Sequence, residues 1–414
     1  MRVLWVSNTL FPDIAKRHGL PEPVFGGWMY GAAKALSAVP GVELSVAALH
    51  DGPTMIGETI DGIEYHLISR RVGLDQQWRR IVDASRPDLV HVHGTEFVHG
   101  LALIKLFPEI PSVVSIQGLV SVCARYYLAG MSFWEVVRNI TLRDLLRMDT
   151  LFQQQQKMAK RGKAEREYIA RATAIMGRTD WDRAHVEALR PNAPYVHCDE
   201  MLRDEFYGDR RWSYKDCNPR SIFVSQAGYP IKGLHLLIKA AVIARRTYPD
   251  LEIRVAGPDI TSVSSLRLRI RRGGYGKYLS RLIKRSGMQD AVKFLGALDA
   301  TQMRNEFLRC NVSVSPSAIE NSSNSIAEAQ MLGVPVIASQ VGGIRTMTLN
   351  GALAETYRFD EMEVLASRIV ESFARVDVER VEAARQEAMR RHERGAIVRV
   401  MTSTYLELVG RDNA

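Results

Sequence analysis

Short apolar runs rich in β-branched residues alternate with longer helical patterns in two successive series along the 414-residue chain. This alternation indicates right-handed strand–helix–strand crossovers and a mostly parallel sheet covered on both faces. Two series therefore predict an α/β protein with two doubly wound, Rossmann-like domains. The strand-like runs of the first series are RVLWVSN (2–8), VELSVAAL (42–49), PDLVHVHG (87–94), PSVVSIQG (111–118) and ATAIMGRT (172–179). Those of the second series are SIFVSQAG (221–228), LEIRVAGP (251–258), AVKFLGAL (291–298), NVSVSPSA (311–318) and VPVIAS (334–339).

The boundary between the two series falls in the polar stretch DRRWSYKDCNPR, residues 209–220. We therefore expect an N-terminal domain over residues 1–210 and a second domain over residues 218–390. A last helical pattern, residues 396–414, is expected to pack back onto the first domain and complete it. In doubly wound domains, ligands bind at the carboxyl ends of the strands, where the motifs described below are found.

Composition limits the classes of partner and compartment. The formal net charge of +9 and the pI near 9.4 favour anionic partners such as nucleotide phosphates or acidic lipid head groups. The four cysteines form no C-x-x-C pair, which argues against a disulfide framework or a thiolate zinc site and fits a reducing cytoplasm. The N-terminal apolar stretch is too short for a signal peptide, and no apolar run is long enough to span a membrane.

The segment SVSPSAIENSSNSIAEAQMLGVPVIASQVGG is the richest in candidate ligand-binding groups. A strand reaches Val314, a loop follows, and a helix is expected to start near Asn324. Glu320 lies in the loop, and Glu328 lies eight residues later in the helix. Carboxylates accept bonds from sugar hydroxyls, and helix-start amides hold phosphate. The alternative is structural: Ser325 and Glu328 have capping-box spacing, so Glu328 would only close the helix start.

A second segment, FVSQAGYPIKGLHLLIKAA, places Lys232–Gly233 between a Gly/Pro loop and a helix. A lysine there suits a diphosphate clamp, and a solvated surface lysine is the alternative. Gly26–Gly27 precedes a helix after the first strand, where the backbone can approach a ligand closely. Neither it nor GGYGKY (273–278) matches a dinucleotide fingerprint, and we interpret GGYGKY as a basic surface loop.

Two short patterns resemble metal sites. His91 and His93 point to one face of a strand end, but no third ligand lies at suitable spacing, which favours polar residues lining a binding cleft. Asp180 and Asp182 form a D-x-D pair at a helix start, where Asp180 as the N-cap is the preferred interpretation. We therefore expect no bound metal.

The run from Phe133 to Arg166 mixes large apolar residues with arginines and lysines. It is typical of a basic amphipathic helix on a membrane surface, and equally of a core-facing helix with a solvated basic side. Nucleic acid is not an expected partner, because no known binding motif is present.

Together these motifs resemble the family 4 glycosyltransferases of GT-B fold, over nearly the whole chain. The most specific match is the E-x(7)-E pair followed by A-x-x-x-G-V-P-V-I-A-S and Gly342–Gly343. The resemblance implies that Glu320 binds the hydroxyls of the donor sugar, Glu328 the ribose of the nucleotide, and Lys232–Gly233 the diphosphate. The helix-start amides that touch sugar and phosphate would be those of Asn321, Ser322, Ser323, Asn324 and Ser325. Gly26 and Gly27 would complete the donor site, and SQAGYPIKGLH, GRTDWD and ENSSNS resemble bacterial capsule and exopolysaccharide enzymes.

The chain departs from the family pattern at three places. Gln226 stands where an arginine is usual, six residues before the lysine, and Arg178 would have to supply the missing charge. Gln117 stands where a histidine is frequent, and with His93 it would line the acceptor side of the cleft. Asn-Ser-Ser-Asn replaces the usual Gly-Phe-Gly of the E-x(7)-E loop.

The resemblance implies two domains facing across a cleft, with the donor on the second and the acceptor on the first. The expected activity is metal-independent, retaining transfer of a sugar from a nucleotide-sugar to a glycan or lipid-linked glycan, in cell-surface polysaccharide synthesis. The nucleotide-sugar is a co-substrate, and no cofactor is expected. The enzyme would be cytoplasmic, with peripheral contact to an anionic surface at the inner face of the plasma membrane. Two alternatives stay open: a GT-B-fold sugar-nucleotide epimerase, and a non-catalytic sugar-nucleotide-binding subunit of a polysaccharide assembly complex.

Overall fold

The computed structural model describes residues 1–21, 26–262 and 271–411. Residues 22–25, next to the Gly26–Gly27 motif, and residues 412–414, at the end of the predicted last helix, lie outside the described residues. The secondary structure follows the alternation expected from the sequence.

The strands are β1 (Arg2–Ser7), β2 (Glu43–His50), β3 (Ile56–Ile60), β4 (Ile63–Ser69), β5 (Leu89–His93), β6 (Ser112–Ser115), β7 (Ala174–Gly177), β8 (Tyr195–His197), β9 (Ser221–Val224), β10 (Glu252–Val255), β11 (Val292–Phe294), β12 (Val312–Ser315), β13 (Val336–Ser339) and β14 (Glu355–Tyr357).

The helices are α1 (Pro12–Arg17), α2 (Gly27–Ser37), α3 (Leu74–Ser85), α4 (His99–Leu106), α5 (Val120–Cys123), α6 (Phe133–Val137), α7 (Leu142–Leu146), α8 (Leu151–Arg171), α9 (Asp180–Leu189), α10 (Leu234–Ala244), α11 (Gly274–Arg285), α12 (Ala300–Arg309), α13 (Asn324–Leu332), α14 (Ile344–Met347), α15 (Met362–Ala374), α16 (Val378–Arg391) and α17 (Arg394–Arg411). Short 3₁₀ turns lie at Ala124–Tyr126, Asp204–Phe206 and Pro230–Lys232.

The strands form two separate sheets. The first has the order β3-β4-β2-β1-β5-β6-β7-β8 and is parallel except for the antiparallel pairing of β3 with β4. The second has the order β11-β10-β9-β12-β13-β14 and is parallel throughout its described pairings. Two α/β domains with doubly wound sheets were predicted from the strand–helix alternation, and this fold class is confirmed.

The chain divides into two compact units. Unit 1 comprises residues 1–120, 161–204 and 391–414, and unit 2 comprises residues 121–160 and 205–390. The sequence places residues 121–160 in the first domain, whereas in the structure their contacts lie with the second. The chain therefore enters unit 2 once before its main series of strands begins.

The core of unit 1 lies around β1, whose residues from Val3 onward are buried. Helix α17 packs on this sheet through Tyr405, which is completely buried. Its hydroxyl accepts a hydrogen bond from the indole N–H of Trp5 at 3.2 Å and is bonded to Nδ1 of His91. The imidazole Nε2 of His91 is 2.7 Å from the hydroxyl of Ser115. A buried polar chain thus links the last described helix to three strands of the sheet.

The core of unit 2 is built from the strands around β9 and from the buried face of α10. Segment 121–160 joins it through a buried histidine: Nε2 of His235 lies 2.9 Å from the carbonyl oxygen of Ala129. The predicted amphipathic run 133–166 is not one helix but α6, α7 and most of α8. Each of the two short helices begins with a capping box, so each is a separately terminated element.

The interpretation of GGYGKY as a surface loop is wrong, because Gly274 begins helix α11. Its two tyrosines are buried, and its glycines allow close packing. A Cβ at Gly276 would lie 2.0 Å from the carbonyl oxygen of Ile260, and one at Gly274 would lie 3.1 Å from Oδ2 of Asp144. The glycines that suggested a loop are there because neighbouring segments leave no room for side chains.

In the part of the chain that the structure describes, none of the helices combines the length and the apolar character needed to cross a bilayer.

Candidate functional site

Lys232 and Glu320 meet at the carboxyl edge of the second sheet. Lys232 ends the 3₁₀ turn after β9, and Glu320 lies in the loop after β12. The ammonium of Lys232 donates to Oε2 of Glu320 at 2.8 Å, and the hydroxyl of Ser317 donates to the same oxygen at 3.1 Å. Both charged side chains are mostly but not completely buried, with 24% and 19% of their surfaces exposed. Two of the residues chosen from separate sequence motifs therefore form one ion pair.

The electrostatics of this pair keep Lys232 charged. Burial lowers the pKa of its ammonium, but the charge of Glu320 and the hydrogen bond to it outweigh that effect, so the pKa lies above its ordinary value. A cation held in place beside a carboxylate can switch partner when an anionic ligand arrives.

Glycines bring the loops of this edge into backbone contact. Gly233 has φ +73°, and a Cβ there would lie 1.8 Å from the carbonyl oxygen of Pro316. Gly342 has φ +52°, and its Cβ would lie 2.0 Å from the carbonyl oxygen of Glu320. That oxygen accepts a hydrogen bond from the amide of Gly343 at 3.0 Å. Only glycine fits at either point, because the position combines a left-handed backbone with no space for a side chain.

Helix α13 begins beside these loops, with Ser323 as its N-cap. The side chain of Ser323 makes no capping bond. Ser325 is the second residue of the helix, and its hydroxyl accepts from that of Ser225, at the end of β9, at 2.7 Å. The alternative that Ser325 and Glu328 form a capping box is therefore wrong.

The remaining residues predicted for the donor site lie along the same loop. Asn321, Ser323 and Glu328 are buried, whereas Ser322 and Asn324 are partly exposed. Gln226, which replaces the usual arginine, is partly exposed and follows Ser225 directly. The structure thus gathers Lys232, Gly233, Glu320 and residues 321–325 at one end of one sheet.

A second group of candidate residues lies at the carboxyl edge of the first sheet. The rings of His91 and His93 are 4.0 Å apart, and that of His93 lies 4.3 Å from the ring of Trp5. Burial lowers the pKa of His93 to about 3, and burial together with His93 holds the pKa of His91 well below its ordinary value. Both imidazoles are therefore neutral near pH 7.

His93 borders a cavity of about 20 Å³ shared with Trp28, Glu200 and Met401. Neither ring nitrogen of His93 has a hydrogen-bond partner among the described residues. The cavity is close to the smallest space that holds one water molecule, so it is too small to accept a sugar.

Arg178 is fully engaged within unit 1. Its guanidinium forms an ion pair with Glu200 and donates to the carbonyl oxygens of Ile116 and Gln117 at 3.1 and 2.9 Å. It also reaches the side-chain oxygen of Gln117 at 3.5 Å. Arg178 and Glu200 are only 5% and 7% exposed, so this is a buried ion pair. Arg178 thus orients Gln117, and its role as a replacement for the missing donor-site arginine stays a prediction.

The sequence prediction omitted Glu96, three residues after His93. Its carboxylate accepts from the side-chain amide of Asn8 at 3.0 Å. Burial, helped by the nearby carboxylates of Glu165 and Glu200, raises its pKa to about 7 against the opposing effects of a backbone hydrogen bond and the charge of Arg178. The expectation that ligands bind at the carboxyl ends of strands could have found Glu96, since it lies in the loop that follows β5.

Gly26 and Gly27 open helix α2 in unit 1. Gly26 is its N-cap with φ +85°, and a Cβ there would lie 3.2 Å from Cγ2 of Thr9. A Cβ on Gly27 would lie 3.1 Å from the side chain of Arg203. The backbone of Gly26 and Gly27 was expected to approach a ligand closely; in the structure it approaches the side chains of Thr9 and Arg203.

The D-x-D pair, Asp180 and Asp182, lies in the first turn of helix α9. Thr179, not Asp180, is the N-cap of α9, and Asp182 completes the capping box. Asp182 also accepts from the amide of Arg178 at 3.0 Å and from the hydroxyl of Tyr195. Across residues 1–21, 26–262 and 271–411, no three His, Cys, Asp or Glu side chains are grouped as metal ligands.

Comparison with known sequences agrees with the site at the second sheet. Residues 210–374 match the family model described as "Glycosyl transferases group 1". This chain contains a glycosyl transferases group 1 domain. The match covers β9 to β14 and both charged residues of the Lys232–Glu320 pair.

The group 1 domain is also the part that resembles curated proteins. The D-inositol 3-phosphate glycosyltransferase of Arthrobacter sp. (strain FB24) is 31% identical over 121 residues, which are 29% of this chain and 26% of that protein. The glycogen synthase of Mycobacterium tuberculosis is 27% identical over 146 residues, 34% of this chain and 32% of that protein. The matched region spans only about a quarter to a third of the length of these relatives.

Solved structures match over the whole chain and show the GT-B fold. The sucrose-phosphate synthase from Thermosynechococcus elongatus has a TM-score of 0.70 at 17% identity, covering 99% of each chain. Anabaena Alr3699/HepE in complex with UDP and glucose has a TM-score of 0.67 at 16% identity, covering 98% of this chain and 99% of that one.

Proposed function

We propose that the protein is a retaining glycosyltransferase that transfers a sugar from a nucleotide-sugar to a glycan or lipid-linked glycan. The observation that carries the proposal is the Lys232–Glu320 pair beside the start of α13 in the group 1 domain. A cation, a carboxylate and helix-start amides at one strand edge suit a ligand that has both hydroxyls and a diphosphate. The complexes of HepE with UDP, glucose and UDP-glucose support a nucleotide-sugar donor.

In the proposed reaction the bond between the anomeric carbon and the diphosphate oxygen breaks, and a bond to the acceptor oxygen forms on the same face. The acceptor proton passes to the departing phosphate oxygen. Lys232 and the amides at the start of α13 stabilise the negative charge that grows on the diphosphate. Glu320 accepts hydrogen bonds from the hydroxyls of the sugar, and Glu328 accepts them from the hydroxyls of the ribose. The proposed chemistry needs no metal and no cofactor.

The same proposal includes the setting of the reaction. We propose a role in cell-surface polysaccharide synthesis, with the enzyme in the cytoplasm and the acceptor side, including His93 and Gln117, on unit 1. Fractionation of cells that express a tagged chain tests the location. Recovery of the protein outside the cytoplasmic and membrane fractions would contradict it.

The activity is tested first by donor choice. A panel of sugar nucleotides is added to the purified protein, and the donor that raises the melting temperature most is used with a panel of acceptors. We expect transfer in excess EDTA, with the anomeric configuration of the donor kept in the product. Isomerised donor without transfer would identify an epimerase instead, and binding without turnover would identify a non-catalytic subunit.

Variants then connect activity with the site. Glu320→Gln, Glu328→Ala and Lys232→Ala should each reduce transfer about tenfold to a hundredfold, because each lost charged hydrogen bond is worth about 1.5–3 kcal/mol. For Lys232→Ala the loss should appear more in kcat than in KM, since charge on the diphosphate grows toward the transition state. Glu379→Ala and Lys215→Ala change exposed residues of the same unit and serve as matched controls. Full activity in Glu328→Ala or Lys232→Ala would remove that residue from the site.

A further inference from the structure

Two short helices of unit 2, α6 and α7, expose large apolar side chains to solvent. We call the six side chains concerned the apolar surface: Phe133, Trp134, Leu142, Leu145, Leu146 and Met148, each between 59% and 77% exposed. Six of the eighteen most exposed large apolar side chains among the described residues thus lie within sixteen consecutive positions. Such a local concentration is unusual for a surface that meets only water.

The apolar surface rests on an ordered scaffold. The capping boxes of Ser132 with Glu135 and of Thr141 with Asp144 fix the starts of both helices. Leu142, Leu145 and Leu146 have the spacing that places side chains on one face of a helix.

Both short helices are tied to α11. The hydroxyl of Tyr278 donates to Glu135 at 2.8 Å, and the ammonium of Lys277 donates to the carbonyl oxygen of Ile140 at 3.0 Å. A Cβ at Gly274 would lie 3.1 Å from Asp144 of α7, which shows how closely that helix packs on the start of α11. The side chains of the apolar surface are therefore exposed on helices that are packed firmly against the rest of unit 2.

Positive charge is concentrated around these helices. Residues 132–160 and 271–285 together contain eleven lysines and arginines and three acidic residues, a net +8, whereas the whole chain carries +9. The acid groups of α6 and α7 are engaged within the protein: Glu135 holds the amide of Ser132, and Asp144 holds the amide of Thr141. Arg138 and Arg147 are exposed beside the apolar surface.

We propose that the apolar surface docks on a membrane containing anionic lipid. Aromatic and leucine side chains enter the boundary between head groups and acyl chains, while surrounding lysines and arginines bind the negatively charged head groups. The charge balance favours this partner over an apolar protein groove, because a net +8 disfavours contact with a second copy of the same basic surface. The proposal rests on residues outside the donor site and does not depend on the proposed function.

The test measures sedimentation of the full chain with vesicles of phosphatidylglycerol mixed with phosphatidylcholine, and with vesicles of phosphatidylcholine alone. We expect binding to the anionic vesicles at low salt that weakens as salt rises, since charges are screened within about 8–10 Å at physiological ionic strength. The double variant Leu142→Gln with Leu146→Gln should weaken this binding at least about tenfold, because two leucines no longer leave water.

A matched control replaces exposed apolar residues elsewhere: Val378→Gln with Leu406→Gln should bind like wild type. Arg138→Gln with Arg147→Gln should weaken binding to the anionic vesicles about tenfold, and Lys215→Gln with Arg211→Gln should change it much less. All four changes affect exposed residues, so the melting temperatures should stay near that of wild type.

Three results would overturn the proposal. The first is no sedimentation of wild type with anionic vesicles at low salt. The second is equal binding to both kinds of vesicle. The third is a lipid-free dimer, measured by light scattering, that Leu142→Gln with Leu146→Gln abolishes, since that would assign the apolar surface to a second copy. Transferase activity plays no part in the measurement, so failure of the docking proposal and failure of the proposed function are distinguishable.

Discussion

The two sheets end in very different ways. At the second sheet, the loops around Lys232 and Glu320 are held by backbone contacts that only glycine permits, at Gly233 and Gly342. At the first sheet, the strands are held by contacts between buried side chains, such as Arg178 with Glu200 and His91 with Tyr405. The first arrangement leaves short motifs that can be found in the sequence, and the second leaves almost none.

The difference also concerns charge. The ion pair of Lys232 and Glu320 stays partly exposed, so a ligand can reach it. The ion pair of Arg178 and Glu200 is buried, so replacing either partner leaves an unpaired charge inside the protein. The ion pair at the second sheet can therefore exchange its partners for a ligand, whereas the ion pair at the first sheet holds the fold together.

Gly233→Ala should produce the largest loss, because it attacks the backbone contact on which the second edge depends. A Cβ 1.8 Å from the carbonyl oxygen of Pro316 must displace that loop, and the backbone is left-handed as well. We expect about 5 kcal/mol less free energy of unfolding, measured by urea titration. Gly287→Ala is the matched control, since Gly287 has φ +64° and a Cβ there meets no atom within 4 Å. The control should lose only about 1–2 kcal/mol, and equal losses in the two variants would refute the importance of the contact.

Arg178→Met should be the most damaging change at the first edge. It removes the partner of buried Glu200 and two hydrogen bonds to carbonyl oxygens, so we expect a loss of about 3–4 kcal/mol. Arg183→Met removes an exposed ion pair with Glu187, which water screens, and should leave the free energy of unfolding close to that of wild type. If nucleotide binding weakened while the stability of Arg178→Met stayed at that of wild type, Arg178 would belong to the donor site after all.

Glu96→Gln should change how stability depends on pH. The folded protein holds this carboxyl with a pKa of about 7, against an ordinary value of 4.5, so it retains a proton that the unfolded chain releases. Stability from this group is therefore complete below pH 4.5 and is lost as the pH rises through 7. The amide does not ionise, and the variant should gain up to about 3 kcal/mol relative to wild type between pH 5 and pH 8. Parallel stability curves for variant and wild type would show that Glu96 is ionised in the fold.

Thr179→Ala should have the smallest effect and tests a boundary that the sequence placed one residue away. Loss of the capping hydroxyl should cost about 1 kcal/mol. Asp180→Ala, at the residue chosen from the sequence, should leave thermal stability within about 0.5 kcal/mol of wild type. The reverse order of the two melting temperatures would restore Asp180 as the cap.

Features formed by residues close together in the sequence could be predicted, and features formed by residues far apart in the sequence could not. The strand series, with their β-branched runs, predicted both α/β sheets, and the short motifs led to Lys232, Glu320 and Glu328. The capping alternative for Glu328 was wrong because the helix begins two residues earlier, with Ser323 as its N-cap, so Ser325 lies inside the first turn, where its hydroxyl accepts from Ser225.

Other features depended on distant neighbours and had no local signal. GGYGKY begins a helix because Ile260 and Asp144 exclude side chains there. Segment 121–160 belongs with unit 2 through contacts such as that of His235 with Ala129. The sequence around either residue does not indicate this contact. The raised pKa of Glu96 likewise arises from its burial by the surrounding fold, with smaller contributions from the carboxylates of Glu165 and Glu200, which come from two other segments.

The hydrogen bonds of Tyr405 have a consequence for the order of folding during synthesis. The first sheet includes β1 and β5, yet the helix that covers Trp5 and His91 leaves the ribosome more than 300 residues after them. Unit 2 has all its residues by position 390, before that helix has been translated. The domain that begins the chain is therefore the later of the two to acquire its complete core, and until then its apolar strands depend on transient protection from aggregation.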